Sequence, residues 1–418
     1  MRILFVSQYF PPETCAPAVR VHEFSREWVG SGHTVKVLTG FPNHPEGNLH
    51  PEYRKCWRRG IWRERRDGID VCRSWLYPAR NKGFWGRSAN YVSFAVSSSL
   101  AGSTAISGFD IVIGTSPQIL VGLSAYSVAR AHRVPFVFEV RDLWPESLAA
   151  VGQASAGSAS YRIIERIANF LYRQAQFVVV DGERKRQCLF GKGVPTERMA
   201  VIPNGVAEDF NSELDKAAAK RQDIRQIQGW GDRFIVLYCG TIGMAHGLNT
   251  LLAAAARLSR FPDVVFVIVG DGAEREQIVG RAKALGLSNV IFAGKQPRHR
   301  IPEYLAAADC CAVPLRQSQV FDSAIPSKLF EAMAAKRPVL LGVNGEARDI
   351  LQSARAGLAF QPDNAEELAR HVFELRRSPR LCLELGENGR RAVDRKYSRR
   401  FLASSYLDVL RRVARHAS

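Results

Sequence analysis

Lys328 and Glu331 lie three residues apart in the stretch FDSAIPSKLFEAMAAKRPV, which runs from Phe321 to Val339. Pro326 suits the first turn of a helix, and Ser327 suits a cap or an anion contact. Such a helix puts Lys328 and Glu331 on one face at its beginning. There the lysine can meet a phosphate, and the glutamate can accept two hydrogen bonds from a ribose diol. The competing reading is a surface ion pair worth roughly 0.2–0.5 kcal/mol. Two glycine turns have related chemistry. Gly240-Thr241-Ile242-Gly243-Met244-Ala245-His246-Gly247 and Gly270-Asp271-Gly272 each follow an apolar run and lead into a helical pattern. Backbone amides and a helix N-terminus at such turns attract anions. Neither turn is a complete dinucleotide or Walker fingerprint, and either alone could be an ordinary tight turn. Two in one domain are better evidence for an anion site than either alone. Gly294 and Lys295, Ser323 and Leu329 complete the expected donor site.

These residues need a scaffold, and the chain supplies one twice. Arg2–Tyr9, Thr34–Thr39, Asp110–Gly114, Val134–Val140 and Phe177–Val180 are apolar runs of the kind found in buried parallel strands. Residues 19–30 have a helical pattern that Gly32 ends. A second series follows: Phe234–Cys239, Val264–Val269, Val290–Phe292 and Cys310–Val313, with the helical run Thr250–Leu258 among them. Strands alternating with helices predict α/β architecture with doubly wound sheets. The expected organisation is a domain over 1–205, a second over 206–390, and a basic helix over 391–418 packing back on the first. The boundary falls in the polar stretch near 205–232. Open α/β sheets bind ligands at the carboxyl ends of their strands, so two facing edges would make an interdomain cleft the site.

Composition bounds the possibilities. The chain has 418 residues and a formal charge of +18, with 46% hydrophobic residues. That length favours two cores, and the charge favours anionic partners. The eight cysteines show no C-x-x-C spacing, so free cytosolic thiols are expected. No apolar run approaches the roughly 20 residues of a membrane span, and the first strand is too short for a signal peptide.

With these motifs in order, the sequence resembles the retaining, GT-B-fold glycosyltransferases of family 4. Glu331-Ala332-Met333-Ala334 with Pro338-Val339 matches the family's donor-site signature. Gly32-His33-Thr34-Val35, Pro203-Asn204-Gly205-Val206, Val269-Gly270-Asp271-Gly272 and Ala308-Asp309 before Pro314 match further landmarks. Pro11-Pro12-Glu13, Arg141-Asp142-Leu143-Trp144-Pro145-Glu146 and Ile325-Pro326-Ser327-Lys328 look like the branch that builds O-antigen and capsule, the WbuB-like fucosamine transferases. The chain departs from the family pattern in several places. Ser323 stands where a second glutamate is common, Thr241 and His246 stand where an arginine and lysine grip the diphosphate, and Cys15-Ala16-Pro17-Ala18 replaces a glycine pair. Arg141 follows a strand that commonly ends in histidine.

The resemblance implies a nucleotide-sugar donor, with uracil as the base, and transfer with retention, the leaving phosphate taking the acceptor proton. Lys328 and backbone amides would stabilise that phosphate. Arg141 and Asp142 are candidates near the reacting centre, with a buried ion pair as the alternative. Ala16, Pro17, Ala18, Arg20, Asn43 and His44 are candidates for the acceptor side, with loop location behind the last two. No metal and no cofactor are expected. Residues 53–87 hold eleven cations (among them Arg73, Arg80, Lys82 and Arg87) against three acids, a net of +8, with Tyr53, Trp57, Trp62, Trp75, Tyr77, Phe84 and Trp85 interleaved. That mixture suits an anionic membrane surface and a lipid-linked saccharide acceptor, in a cytoplasmic, peripheral enzyme. A solvated charged face is the plain alternative. A sugar-nucleotide epimerase on the same scaffold is the rival enzyme. A nucleic-acid-binding protein lacks its expected modules, and nucleic acid is not an expected partner. A dehydrogenase is disfavoured because the first strand runs into Pro11-Pro12 instead of a glycine fingerprint.

Overall fold

Short runs of β-branched and aromatic residues without polar alternation form most strands, as burial on both faces requires. The computed structural model describes residues 1–80, 84–150, 155 and 157–417. It resolves into two units, Met1–Pro203 with Leu402–Ser418, and Asn204–Phe401.

The first unit contains β1 (Arg2–Val6), β2 (Thr34–Gly40), β3 (Ile61–Arg66), β4 (Ile69–Ser74), β5 (Ile111–Thr115), β6 (Phe136–Val140), β7 (Phe177–Val180) and β8 (Met199–Val201). Their order in the sheet is β3-β4-β2-β1-β5-β6-β7-β8. Only β3 runs antiparallel to its neighbour. Val6 is level with Leu38 and Gly114, and Thr115 with Glu139, so the loops after β1, β2, β5 and β6 leave from one edge. Phe5, Phe24 and Trp28 pack one face, while Leu4, Phe94 and Phe138 pack the other.

The last helix, Arg399–Ala417, joins this unit from Leu402 onward. Trp28 Nε1 donates to the Ala403 carbonyl at 3.0 Å, and Tyr406 meets Phe24 and Trp28 edge-on. Residues 391–401, expected to travel with this helix, stay in the second unit.

The second unit contains β9 (Phe234–Cys239), β10 (Val264–Val269), β11 (Val290–Gly294), β12 (Cys310–Pro314), β13 (Val339–Gly342) and β14 (Gly357–Ala359). They form a parallel sheet in the order β11-β10-β9-β12-β13-β14. The polar stretch near 205–232 is structured, not a bare connection. It forms helices Glu208–Ala219 and Arg221–Ile227. Phe210 and Leu214 are buried, and Asp309 ties down Arg221 at 2.6 Å and Arg225 at 3.2 Å. Its charge patterning hides a helix with one apolar face.

Candidate functional site

In the second unit three strand-end turns lie side by side. Gly240 N–H donates to the Val269 carbonyl at 2.9 Å, Ile242 N–H to the Asp271 carbonyl at 2.9 Å, and Gly270 N–H to the Gly294 carbonyl at 2.9 Å. This packing requires glycine at Gly270, where φ is +142° and a Cβ would stand 1.9 Å from the Gly240 carbonyl oxygen. A Cβ on Gly240 would meet Lys328 Cε at 2.4 Å, so the turn and that lysine fit together only without a side chain.

Lys328 and Glu331 project from helix Ser327–Ala334. Lys328 Nζ donates to Tyr238 Oη at 2.6 Å and lies over the same ring. Burial brings its pKa down to about 8. The Tyr238 hydroxyl donates to the Thr241 carbonyl, which fixes the ring between β9 and the turn. Glu331 Oε1 sits 3.5 Å from Arg298 Nη1. Arg298 follows β11 and escaped the sequence reading, because Arg298-His299-Arg300 looks like an ordinary exposed basic run. His246, beside this lysine, is pushed down to about 3, first by burial and then by the Lys328 charge, so it is neutral. Asp271 accepts from the Gly272 N–H at 2.8 Å, and Thr241 and Lys295 are exposed on the same edge. Ser323 ends the short turn Gln319–Ser323 and is half-buried.

Two donor-site expectations change. Leu329 is fully buried in the core, and its N–H is taken by the Pro326 carbonyl at 3.1 Å, so it presents nothing to a ligand. Ser327 is the first helical residue, not the cap; Pro326 holds that position, and no side chain caps the helix.

The first unit revises more. Helix Ala16–Gly30 begins at Ala16, which is exposed with Pro17 partly so, whereas Ala18 is buried. Arg20 is a structural residue. It is 2% exposed, pairs with Glu139 at 2.9 Å, and donates to the Ile202 and Pro203 carbonyls at 2.8 Å and 2.9 Å. Asn43 is likewise committed: its amide donates to the Phe41 carbonyl at 2.9 Å and accepts from Asn90 at 3.1 Å. Glu13 organises this loop by accepting from the N–H groups of Asn43 and His44 at 3.0 Å and 2.9 Å. Burial raises Glu13 to about 7 against those hydrogen bonds. His44 packs against Tyr9, in a shallow depression with Arg80, Arg87 and Tyr91.

Within the basic stretch, β3 and β4 form a hairpin that the charge density concealed. Arg73 leaves the surface group: it is buried, pairs with Glu64 at 2.7 Å and stacks on Tyr53. Lys82 and the Phe84 side chain lie outside the described residues.

Arg141 and Asp142 follow β6, and both backbone N–H groups donate to Ser116 Oγ, at 2.8 Å and 3.3 Å. Arg141 Nε and Nη1 have no hydrogen-bond partner among the described residues; burial and then the Arg20 charge lower its pKa, against the charges of Glu139, Asp181 and Asp142.

Two Rossmann-like units with parallel sheets define a GT-B-type architecture, and the second carries a lysine and a glutamate on one helix beside a glycine-lined strand edge. Known proteins agree. Residues 16–205 match the glycosyl transferase 4-like domain, and residues 220–392 match the glycosyl transferases group 1 family. WbjE of Pseudomonas aeruginosa, named as a glycosyltransferase, is 27% identical over 64% of this chain and 66% of its own length, just under two thirds. WcaI of Escherichia coli K12, named as a colanic acid biosynthesis glycosyl transferase, is 26% identical over 80% of this chain and 81% of its own. The structure of Anabaena HepE in complex with UDP-glucose superposes with a TM-score of 0.71 at 18% identity, covering 98% and 99% of the two chains. The chain is therefore a glycosyltransferase of GT-B type, with a glycosyl transferase 4-like domain followed by a group 1 domain.

Proposed function

We propose that the chain moves a sugar from a UDP-linked donor to a lipid-linked saccharide acceptor in surface polysaccharide assembly, with retention of configuration. The observation that carries this reading is the helix Ser327–Ala334, which sets Lys328 against the β9 turn and Glu331 beside Arg298. A cation there suits the donor diphosphate, and a carboxylate suits the ribose diol. The UDP-glucose complex of HepE and the colanic acid role in the name of WcaI support donor class and pathway class. The WbuB-like motifs Arg141–Glu146 and Ile325–Lys328 favour an N-acetyl-fucosamine-type or related hexosamine donor. The reading calls for no metal or cofactor. Lys328 and the turn amides stabilise the departing phosphate, and the acceptor hydroxyl gives its proton to that phosphate.

A face of the first unit suits the membrane side of this reading. Along helix Phe84–Thr104, Trp85, Val92, Val96 and Leu100 are exposed on one stripe. Ser93 Oγ accepts from the Tyr77 N–H at 2.8 Å, and Ser97 donates to the Trp75 carbonyl, so exposed Trp75 and Tyr77 border that helix. Trp57 stacks on Trp75 at 5.9 Å, which brings the cations Arg58 and Arg59 close. Exposed aromatics ringed by arginine favour an anionic lipid surface, and a cytoplasmic, peripheral location follows. Among the described residues no helix is long and apolar enough to cross a membrane.

Thermal stability against a panel of nucleotide sugars tests the donor. A rise with a UDP-linked hexosamine is expected; no rise with any UDP or GDP sugar refutes the assignment. Proton NMR of the product then reads retention, and donor incubated alone separates transfer from epimerisation.

A further inference from the structure

The second unit has a cationic cleft at the sheet edge opposite its glycine turns. Phe234 opens β9, Asp309 and Pro338 stand immediately before β12 and β13, and all three line the cleft. The glycine turns leave the other ends of β9 and β10. Helices Ala365–Arg377 and Pro379–Ala392 complete the wall through Leu375, Arg376, Cys382 and Leu383. The cleft has a volume of about 350 Å³, within the range of small-molecule sites.

Arg337 lines this cleft and carries the inference. It follows helix Ser327–Ala334, where its N–H donates to the Ala332 carbonyl at 3.1 Å. Its Nε is buried and has no hydrogen-bond partner among the described residues. Burial opposes its charge; of the groups around it, Cys311, Asp309 and Cys382 favour that charge and Arg225 opposes it. The two thiols supply no counter-charge, because burial pushes Cys311 up to about 12 and Cys382 up to about 11. Asp309 is shared, since it accepts from Arg221 at 2.6 Å, Arg225 at 3.2 Å and the Ile235 N–H at 2.7 Å. The remaining cations have their own acids: Lys336 meets Glu387 at 3.0 Å, and Arg376 meets Asp263.

Five cations (Arg221, Arg225, Lys336, Arg337, Arg376) thus face three carboxylates (Asp263, Asp309, Glu387), which leaves a net of two positive charges. A partly desolvated guanidinium without a carboxylate of its own is unfavourable, and an anion relieves it. Its planar fork matches phosphate or carboxylate oxygens. A phosphate monoester carries roughly −1.5 to −2 at neutral pH, close to the charge the cleft leaves unbalanced. Phe234, Pro338, Leu375 and Leu383 give the body of such an ester an apolar wall.

We propose that this cleft binds a small phosphate monoester through Arg337, at a site separate from the glycine turns. The site is drawn from the second unit alone, and it stands whether or not those turns hold a nucleotide sugar.

Isothermal titration into the full chain carrying Lys328→Met tests it, since that variant lacks the amine beside the glycine turns. Phenyl phosphate is the probe, with inorganic phosphate and benzoate for comparison. Phenyl phosphate should bind more tightly than inorganic phosphate, which has no apolar body, and than benzoate, which brings one charge. Adding Arg337→Gln should weaken phenyl phosphate by about tenfold or more, the loss typical of a charged hydrogen-bond donor. If that protein does not fold, Leu383→Glu decides: the residue is 67% exposed on the cleft wall, and the new carboxylate should repel the probe. Phe190→Glu, at a residue 62% exposed on the first unit, makes the same change of net charge and should leave the affinity as it was. No binding of phenyl phosphate, or equal affinity with and without Arg337, overturns the proposal. So does an affinity that Leu383→Glu leaves unchanged or lowers no more than Phe190→Glu does. Benzoate or inorganic phosphate binding as tightly as phenyl phosphate overturns the monoester as the ligand.

Discussion

Lys328 Nζ stands 2.6 Å from the Tyr238 hydroxyl and 4.1 Å from the centre of the same ring. The amine is thus held over the carboxyl end of β9 before any ligand arrives, so little side-chain entropy remains to be lost on binding. Its position depends on Gly240, which leaves room for the lysine stem, and on Gly270, which lets the neighbouring turn approach.

Gly270→Ala tests that packing. The new methyl would collide with the Gly240 carbonyl oxygen, at a backbone angle of +142°. A loss of roughly 3 kcal/mol or more is expected in urea titration. Gly280→Ala, in helix Arg275–Ala284 with open space around it, is the contrast. It should be neutral or stabilising by up to about 1 kcal/mol. Equal effects at the two positions would remove the steric argument.

The depressed pKa of Lys328 makes a pH prediction. Phosphate binding needs the protonated amine. Since burial brings the free protein's Lys328 to about 8, UDP affinity should fall as pH rises through 8, not near 10.5. Lys328→Arg, always charged, should flatten the profile. A parent profile flat from pH 7 to 10 would argue against Lys328 as the phosphate cation.

Arg20 and Glu139 give a stability prediction. The pair is 2% and 0% exposed, so Arg20→Ala strands a buried carboxylate. A cost of about 3–5 kcal/mol is expected, and Arg20→Met with Glu139→Leu should cost less than Arg20→Ala alone. Denaturant midpoints of the two variants check this, and the reverse order would show that the pair is not what holds helix Ala16–Gly30 to β6.

The membrane face is tested with anionic vesicles. Parent protein should co-sediment at low salt and less at high salt, since each cation near the surface contributes about 1 kcal/mol. Trp85→Ser with Leu100→Ser should weaken binding at both salts, because apolar insertion is not screened. Unchanged sedimentation of this variant would reduce the stripe to ordinary exposed residues.

What the sequence made legible followed from periodicity and glycine. Phe177–Val180, Phe234–Cys239 and Val264–Val269 are strands at the expected bounds, since unbroken apolar runs admit few other fates. The β9 and β10 turns are legible because two glycine turns fall in one domain, each after an apolar run and before a helical pattern. Polar side chains whose roles depend on distant partners were not legible. Arg20 and Asn43 resemble ligand contacts until Glu139 and Asn90, 119 and 47 residues away in sequence, claim them. The β3–β4 hairpin was hidden because its residues alternate arginine with half-buried side chains, a pattern that composition reads as charge. Arg298 escaped for the opposite reason: it sits in a plainly basic run, and only the fold brings it to Glu331.

Isothermal titration of UDP into the parent chain, Lys328→Met and Glu331→Gln tests the nucleotide site most directly. Saturable binding to the parent is predicted, weakened by about tenfold or more in each variant, as loss of a charged hydrogen-bonding partner implies. Equal affinity in all three proteins, or no heat from the parent with either UDP or GDP, would contradict it.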